Sequence, residues 1–588
     1  MNYAHPYQDA EFVLRHIVDL DGLCEQAGLD VNMDLAVAVL DEAGKMGAEV
    51  LAPLNRVGDL NPAKLGANGV EASPGFTEAY QQFAEAGWLS LSVAEAFGGQ
   101  NLPNVLSTAV NEIWHSANMA YALCPMLSQG AMESIGHHAS EDLQATYLPK
   151  LASGEWTGTM NLTEPDAGSD LAAIKSKAVP NGDHYLISGQ KIFITWGDHQ
   201  MTPNIVHLVL ARLPDAPPGV KGISLFIVPK FVLNADGEPG ERNSAFALSL
   251  EHKMGIHGSP TCVMEFNEAV GYIVGEPNKG LAYMFTMMNH ARQAVGLQGL
   301  SISERAYQQA KQYAKERLQG TRRDGSRIPI IQHPDVRRML MTMKSGIEAM
   351  RALALTAAAE IDRARYAADD ASQAQHEARV ELLTPIVKGW LTEMSQELTS
   401  LGIQVYGGMG YIEETGAAQH YRDARILTIY EGTTGIQALD FIGRKTLVDK
   451  GEALAVLLQE MQATLAMVKA QAGLDAAIAT NLAQALHAGN EAREWILANA
   501  AQDANLAGTA SVSFLMLFGY LTGGWLLAKG ALQAQQSLAA GEGDKDFLQA
   551  KLISAKFYSE QLLPRTAAYL AAIKAGSDST MSMPEDQF

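Results

Sequence analysis

Tyr430-Glu431-Gly432-Thr433-Thr434-Gly435-Ile436-Gln437 hangs one carboxylate on a glycine-flanked turn, between apolar Ile429 and a run with helical character. A carboxylate held there is dry enough to be basic, because burial disfavours its charged form. A Glu beside a helix start also serves as a capping or macrodipole residue, and the octapeptide alone leaves both roles open. Two upstream stretches extend the reading. Gln404-Val405-Tyr406-Gly407-Gly408-Met409-Gly410-Tyr411 sets paired glycines after an apolar run, where backbone can approach a ligand closely. Leu162-Thr163-Glu164-Pro165-Asp166-Ala167-Gly168-Ser169-Asp170 is turn chemistry and reads, by itself, as a loop.

Outward from these stretches, 588 residues exceed what one core can organise, so about three or four domains are expected. A formal charge of -22 excludes broad nucleic-acid binding, which needs clustered Lys and Arg, and a polyanionic ligand must then be held by local donors. Cys24, Cys124 and Cys262 lack metal-ligand spacing, so no metal site is expected and the thiols read as reduced, in a cytoplasmic compartment. Met1 to Leu20 shows no secretion signal. Leu506 to Ala528 carries no charge and is long enough to span a bilayer. Its serines, threonines and glycines favour a buried helix of a soluble bundle instead.

The periodicities predict a mainly α protein with a central β domain. Residues 1-34 form an N-terminal extension and 35-157 an α-helical domain. Residues 158-279 form a β sheet or barrel, from the β-branched and aromatic runs His184–Thr195, Ile205–Leu210 and Ile223–Val228. Residues 280-446 form a four-helix bundle, and 447-588 an additional C-terminal α-helical domain. Thr321 to Arg327 reads as a polar turn, either a solvated loop or one that faces a phosphate, and Asp369 to Gln373 as an exposed loop. Phe193 reads, in isolation, as a core residue of a plain strand.

The three quoted stretches, in this order and spacing, resemble the acyl-CoA dehydrogenase family. The opening Asn2-Tyr3, the Pro6 to Phe12 segment and the extra C-terminal domain resemble its longer bacterial subgroup, which includes 3-methylmercaptopropionyl-CoA dehydrogenases and related fatty acyl-CoA dehydrogenases. The resemblance implies an FAD-dependent α,β-desaturation of an acyl-CoA in fatty acid β-oxidation, with electrons passed to electron-transferring flavoprotein. It makes Glu431 the base that takes the α proton, and its backbone N–H one holder of the thioester oxygen, beside Gly432. It implies FAD contacts from Leu162, Thr163, Ser169, Phe193, Thr195, Gln404, Gly407, Gly408 and Thr433, with Ser169 and Arg292 also near acyl-CoA. Arg317 would reach the flavin phosphate of a neighbouring subunit, which makes a homodimer the smallest active unit.

Some positions depart from the family pattern. Phe193 stands where Trp is common, keeping a stacking surface without the indole donor. Gln419 replaces a usual Lys or Arg, the aromatic before Gly320 is missing, and Asn161 replaces a small residue. Ala291 stands where some relatives place an alternative catalytic Glu, which leaves Glu431 as the base. His257, where many relatives have Arg, is given no chemical role. The competing readings are an acyl-CoA oxidase and a non-catalytic acyl-CoA- or flavin-binding homologue.

Overall fold

The computed structural model describes residues 3–588; Asn2 of the opening signature lies outside the described residues. Two compact units are formed. The first comprises Tyr3, Ala43–Leu102 and Ile113–Ala291; the second comprises Ala4–Glu42, Pro103–Glu112 and Arg292–Phe588.

In the first unit, α1 (Asn104–His138) contributes its part from Ile113 onward. Trp114 and Tyr121 on it are fully buried against Phe83, with ring centroids 5.1 and 5.9 Å away. Asn118 breaks helical geometry (φ -157°, ψ 92°), and its side-chain oxygen accepts from Tyr121 N at 3.1 Å, restarting the helix.

The sheet follows from seven strands: β1 (Trp156–Asn161), β2 (Lys177–Asn181), β3 (His184–Thr195), β4 (Asn204–Arg212), β5 (Ile223–Pro229), β6 (Ala245–Leu250) and β7 (Thr261–Val274). The order is β6-β7-β3-β2-β4-β1, and β5 pairs with both β7 and β4, so five strands close into a barrel with β1 and β6 on its flanks. β4 and β5 are near-continuous apolar runs because both of their faces are covered. Between Cys262 and Met264 the register of β7 on β3 shifts: their partners are Ile194 and Lys191, so Ile192 and Phe193 together oppose Val263. That bulge puts Phe193 at φ +60°.

The second unit is helical. α2 (Gly280–Glu316) enters it at Arg292, followed by α3 (Pro334–Arg365), α4 (Asp370–Tyr406), the short α5 (Thr434–Leu439) and α6 (Leu506–Ala540). Glycines set the helix spacing. A Cβ at Gly296 or Gly299 of α2 would stand 2.7 Å from the Val387 or Leu391 carbonyl oxygen of α4, and one at Gly519 of α6 would stand 2.2 Å from Trp390 Cγ. Arg351 of α3 is fully buried, donating to Glu112 at 2.7 Å and Glu304 at 2.8 Å. The N-terminal segment belongs here too: Asp9 pairs with Lys551, and the Phe12 ring lies 5.8 Å from Phe547. In α6 the most apolar window is 89% buried, which accounts for its membrane-like composition as that of a core helix.

One loop expectation is corrected: Asp369 caps α4, accepting from Ser372 N at 2.7 Å, so residues 370–373 are its first turn. Thr321 to Arg327 is exposed and turn-like as expected, at the tip of a hairpin whose arms, Leu318–Thr321 and Arg327–Pro329, pair antiparallel. Cys24, Cys124 and Cys262 are free and buried.

Candidate active site

The Glu431 turn is built at the end of a long irregular return from α4. Gly407, at φ +60°, closes α4, and its N–H donates to the Gln404 carbonyl. Gln404, Gly407 and Gly408 are exposed, and a Cβ on either glycine would meet nothing within 4 Å. The chain then reaches Glu431 at φ +55° and Gly432 at φ +89°. A glutamate in the left-handed region is strained, and such residues persist where the surroundings over-determine them. Three contacts hold this one in place. Tyr430 Oη donates to Gln298 of α2. Thr434 Oγ1 donates to Glu393 of α4 at 2.6 Å, and Gln437 Nε2 donates to the Glu431 carbonyl at 3.3 Å.

Thr433, not Glu431, caps α5: its hydroxyl accepts from Ile436 N at 3.3 Å. The capping alternative for Glu431 is thereby removed, and its carboxylate is free of helix duty. Burial pushes the Glu431 carboxyl up to about 7, against the opposing pull of Arg292 and Lys388. Arg292, on α2, is buried, and burial lowers its affinity for the proton while Asp440 and Glu431 restore part of it. Lys388, on α4, is fully buried and brought down to about 8 by that burial, with Glu431 and Glu393 acting the other way. The result is a basic carboxylate between two cations, suited to accepting a proton.

In the first unit a second cluster forms around β3. Leu162 is buried, Thr163 is half-buried, and Ser169 is exposed next to Gly168, whose Cβ would also meet empty space. Glu164 and Ala167 bridge across Pro165-Asp166, making a tight turn. The Glu164 carboxylate anchors that turn from below. It receives Lys175 N at 2.6 Å, Ser176 Oγ at 2.6 Å and Lys191 Nζ at 2.8 Å, and Lys191 also donates to the Leu162 carbonyl at 3.0 Å. The Thr163 carbonyl accepts from Ile192 N at 2.9 Å, which sets the turn alongside the bulge.

Phe193 is consequently not a core residue. It is 60% exposed at the bulge, while Ile194 beside it is buried and Thr195 half-buried. A strand read from periodicity alone puts Phe193 inside; the bulge turns it out.

Arg317 is exposed just past the end of α2. Gln419 is buried with its amide directed at Asp423, 3.4 Å away. His257 contacts the Asp59 carboxylate at 2.9 Å and the Lys253 carbonyl at 2.9 Å, a structural arrangement. Sequence reasoning missed Lys388, Gln298, Glu393 and the Glu164–Lys191 pair, whose roles depend on groups distant in the chain; Glu164 read as turn chemistry and Lys191 as part of a plain strand.

Each unit by itself offers features that suit a flavin dinucleotide. In the first, the exposed flat ring of Phe193 offers a stacking surface and Gly168 leaves its backbone open. In the second, Gly407 and Gly408 leave open the space where side chains would block a pyrophosphate.

Family models cover nearly the whole chain: the acyl-CoA dehydrogenase N-terminal domain at residues 61–155, its middle domain at 159–269, its C-terminal domain at 278–447, and an acetyl-CoA dehydrogenase C-terminal-like domain at 457–584. The chain is 46% identical to 3-methylmercaptopropionyl-CoA dehydrogenase of Ruegeria pomeroyi, covering 99% of this chain and 100% of that protein. It is 36% identical to a butyryl-CoA dehydrogenase of Syntrophomonas wolfei, covering 100% and 99%. Caenorhabditis elegans ACDH-11, solved with C11-CoA, shares the fold at a TM-score of 0.78 and 20% identity, over 98% of this chain and 95% of that one. An acyl-CoA dehydrogenase of Bacillus anthracis, solved with FAD, does so at 0.73 and 21%, over 92% and 88%. With the fold, the carboxylate turn and full-length similarity in agreement, the chain belongs to the acyl-CoA dehydrogenase family of oxidoreductases.

Proposed function

We propose that this chain, with FAD bound, desaturates an acyl-CoA thioester between its α and β carbons, Glu431 taking the α proton. Removing a proton and a hydride from neighbouring carbons yields trans-2-enoyl-CoA. FAD supplies the hydride acceptor, at flavin N5. The observation that carries the reading is the Glu431 carboxylate: on a left-handed turn, uncommitted to capping, and basic near neutrality.

The other residues take positioning roles. The Glu431 N–H and Gly432, kept open by the positive φ values, would hold the thioester oxygen, an oxyanion-type contact worth roughly 10²–10³ in rate. Arg292 faces the acyl-CoA end. Leu162, Thr163, Phe193 and Thr195 meet the isoalloxazine, Ser169 the pyrophosphate and acyl-CoA, and Gln404, Gly407, Gly408 and Thr433 the adenosine pyrophosphate. Exposed Arg317 serves the cofactor of a second copy, so the working unit is a homodimer. Electrons leave to electron-transferring flavoprotein in a reducing cytoplasm.

Anaerobic mixing with acyl-CoA tests this: bound flavin is expected to bleach with one enoyl-CoA formed per flavin. A purified chain that stays colourless in excess FAD, or a flavin that no acyl-CoA bleaches, overturns it. Hydrogen peroxide released in step with enoyl-CoA would assign an oxidase instead. A panel of short, long, branched and thioether acyl-CoAs sets the substrate, with 3-methylmercaptopropionyl-CoA first in order because of the Ruegeria similarity.

A further inference from the structure

Lys388 lies on α4 with its side chain fully buried, and its Nζ has no hydrogen-bond partner. A buried ammonium is strongly disfavoured unless a charge compensates it. Its backbone neighbours cannot move aside to let it out. Val387 is pressed against α2 at Gly296, where a Cβ would stand 2.7 Å from its carbonyl oxygen. Gly389 is pressed against α6, where a Cβ would stand 2.4 Å from Leu515 Cδ2.

The charged groups facing Lys388 are Glu431, Glu393 and Arg292. Those facing Glu431 are Arg292 and Lys388, and Tyr430 senses Glu431 and Asp423. Glu393 is committed to Thr434 at 2.6 Å, and Arg292 is shared with Asp440. Lys388 makes no hydrogen bond, and Glu431 is the larger of the two carboxylate influences on it. We propose that Lys388 is a positioning residue for Glu431: its captive ammonium is the counter-charge that keeps the carboxylate ionised on its strained turn until the α proton arrives. The cation then faces a neutral acid, and release of that proton restores the pair. Without the ammonium only Arg292 opposes burial at Glu431, and the carboxyl keeps its proton to higher pH.

This inference rests on the base role proposed for Glu431. The test is the pH profile of kcat/KM in Lys388→Met and Lys388→Arg, with flavin content measured alongside. Lys388→Met is expected to shift the acid limb up by about one unit, a loss of about tenfold below the limb that recovers at high pH with flavin retained; Lys388→Arg is expected to keep the limb in place. A folded, flavin-loaded Lys388→Met with the wild-type profile overturns the proposal.

If Lys388→Met does not fold, the Lys388→Met/Glu431→Gln double variant decides. A rise in its melting temperature over Lys388→Met that exceeds the rise Glu431→Gln gives in the wild-type background shows that an uncompensated Glu431 was the fault. A double variant as unstable as Lys388→Met alone makes Lys388 a packing residue and defeats the proposal. Retained turnover in Glu431→Gln would instead remove the base role itself, a separately readable outcome.

Discussion

At the scale of single residues, the chemistry turns on Glu431 sitting, half-buried, where an L-residue is strained. Glu431→Gln preserves shape while removing the base, so flavin reduction by acyl-CoA is expected to fall by about 10²–10⁴-fold with FAD still bound, read by stopped-flow absorbance. In the wild type, activity is expected to decline as pH drops below about 7, because the carboxyl takes up its proton there. The same shift bears on stability. A carboxyl whose folded pKa is raised makes the folded state bind more protons than the unfolded one, so stability falls as pH rises from the ordinary carboxylate range through about 7. Glu431→Gln is therefore expected to be more resistant to denaturant than wild type at pH 8, with the gap closing at pH 4; a constant gap would contradict the assignment. Glu431 was legible in sequence because its glycines and the two upstream motifs travel with it. Its left-handed φ was not, since that depends on Gln298 and Glu393, which reach the turn from distant helices.

At the scale of elements, β3 shows both what a pattern can tell and where it stops. Its span, His184–Thr195, was legible from alternating β-branched and aromatic residues. The bulge that turns Phe193 outward was not, because register is a property of two strands and β7 lies some seventy residues on. The neighbouring turn rests on the buried Glu164–Lys191 pair. Burial resists ionisation of Glu164, but Lys191 and the surrounding donors outweigh it and hold the carboxyl below its ordinary range. Its contribution is accordingly present above that range and lost on acidification. Lys191→Met leaves Glu164 uncompensated, and a loss of about 3–5 kcal/mol at pH 7 is expected in denaturant melts. That deficit should shrink below pH 4, as the wild type loses the same pairing; a pH-independent deficit would point to packing alone.

At the scale of the whole molecule, the C-terminal helices are part of the second unit's core, not an appendage to it. Trp390 of α4 is fully buried, and α6 approaches it so closely that Gly519 admits no side chain. A chain stopped at residue 446 would uncover that ring and the Leu515-facing side of α4, so it is expected to aggregate on expression. A soluble truncated protein that bleaches with acyl-CoA would show the extra helices to be dispensable. The existence of these helices was legible from their periodicity, and their burial from the serines and glycines of the apolar stretch. Their packing on α4 was not, because that helix lies far upstream in the chain.

The pairing of Asp9 with Lys551 spans 542 residues. At about 5–20 residues per second on the ribosome, the segment around Asp9 waits roughly half a minute to two minutes for Lys551 to be synthesised. Until then Phe12 lacks Ala534 and Leu548, its partners in the folded core, so the N-terminal segment completes its packing only as synthesis of the chain ends.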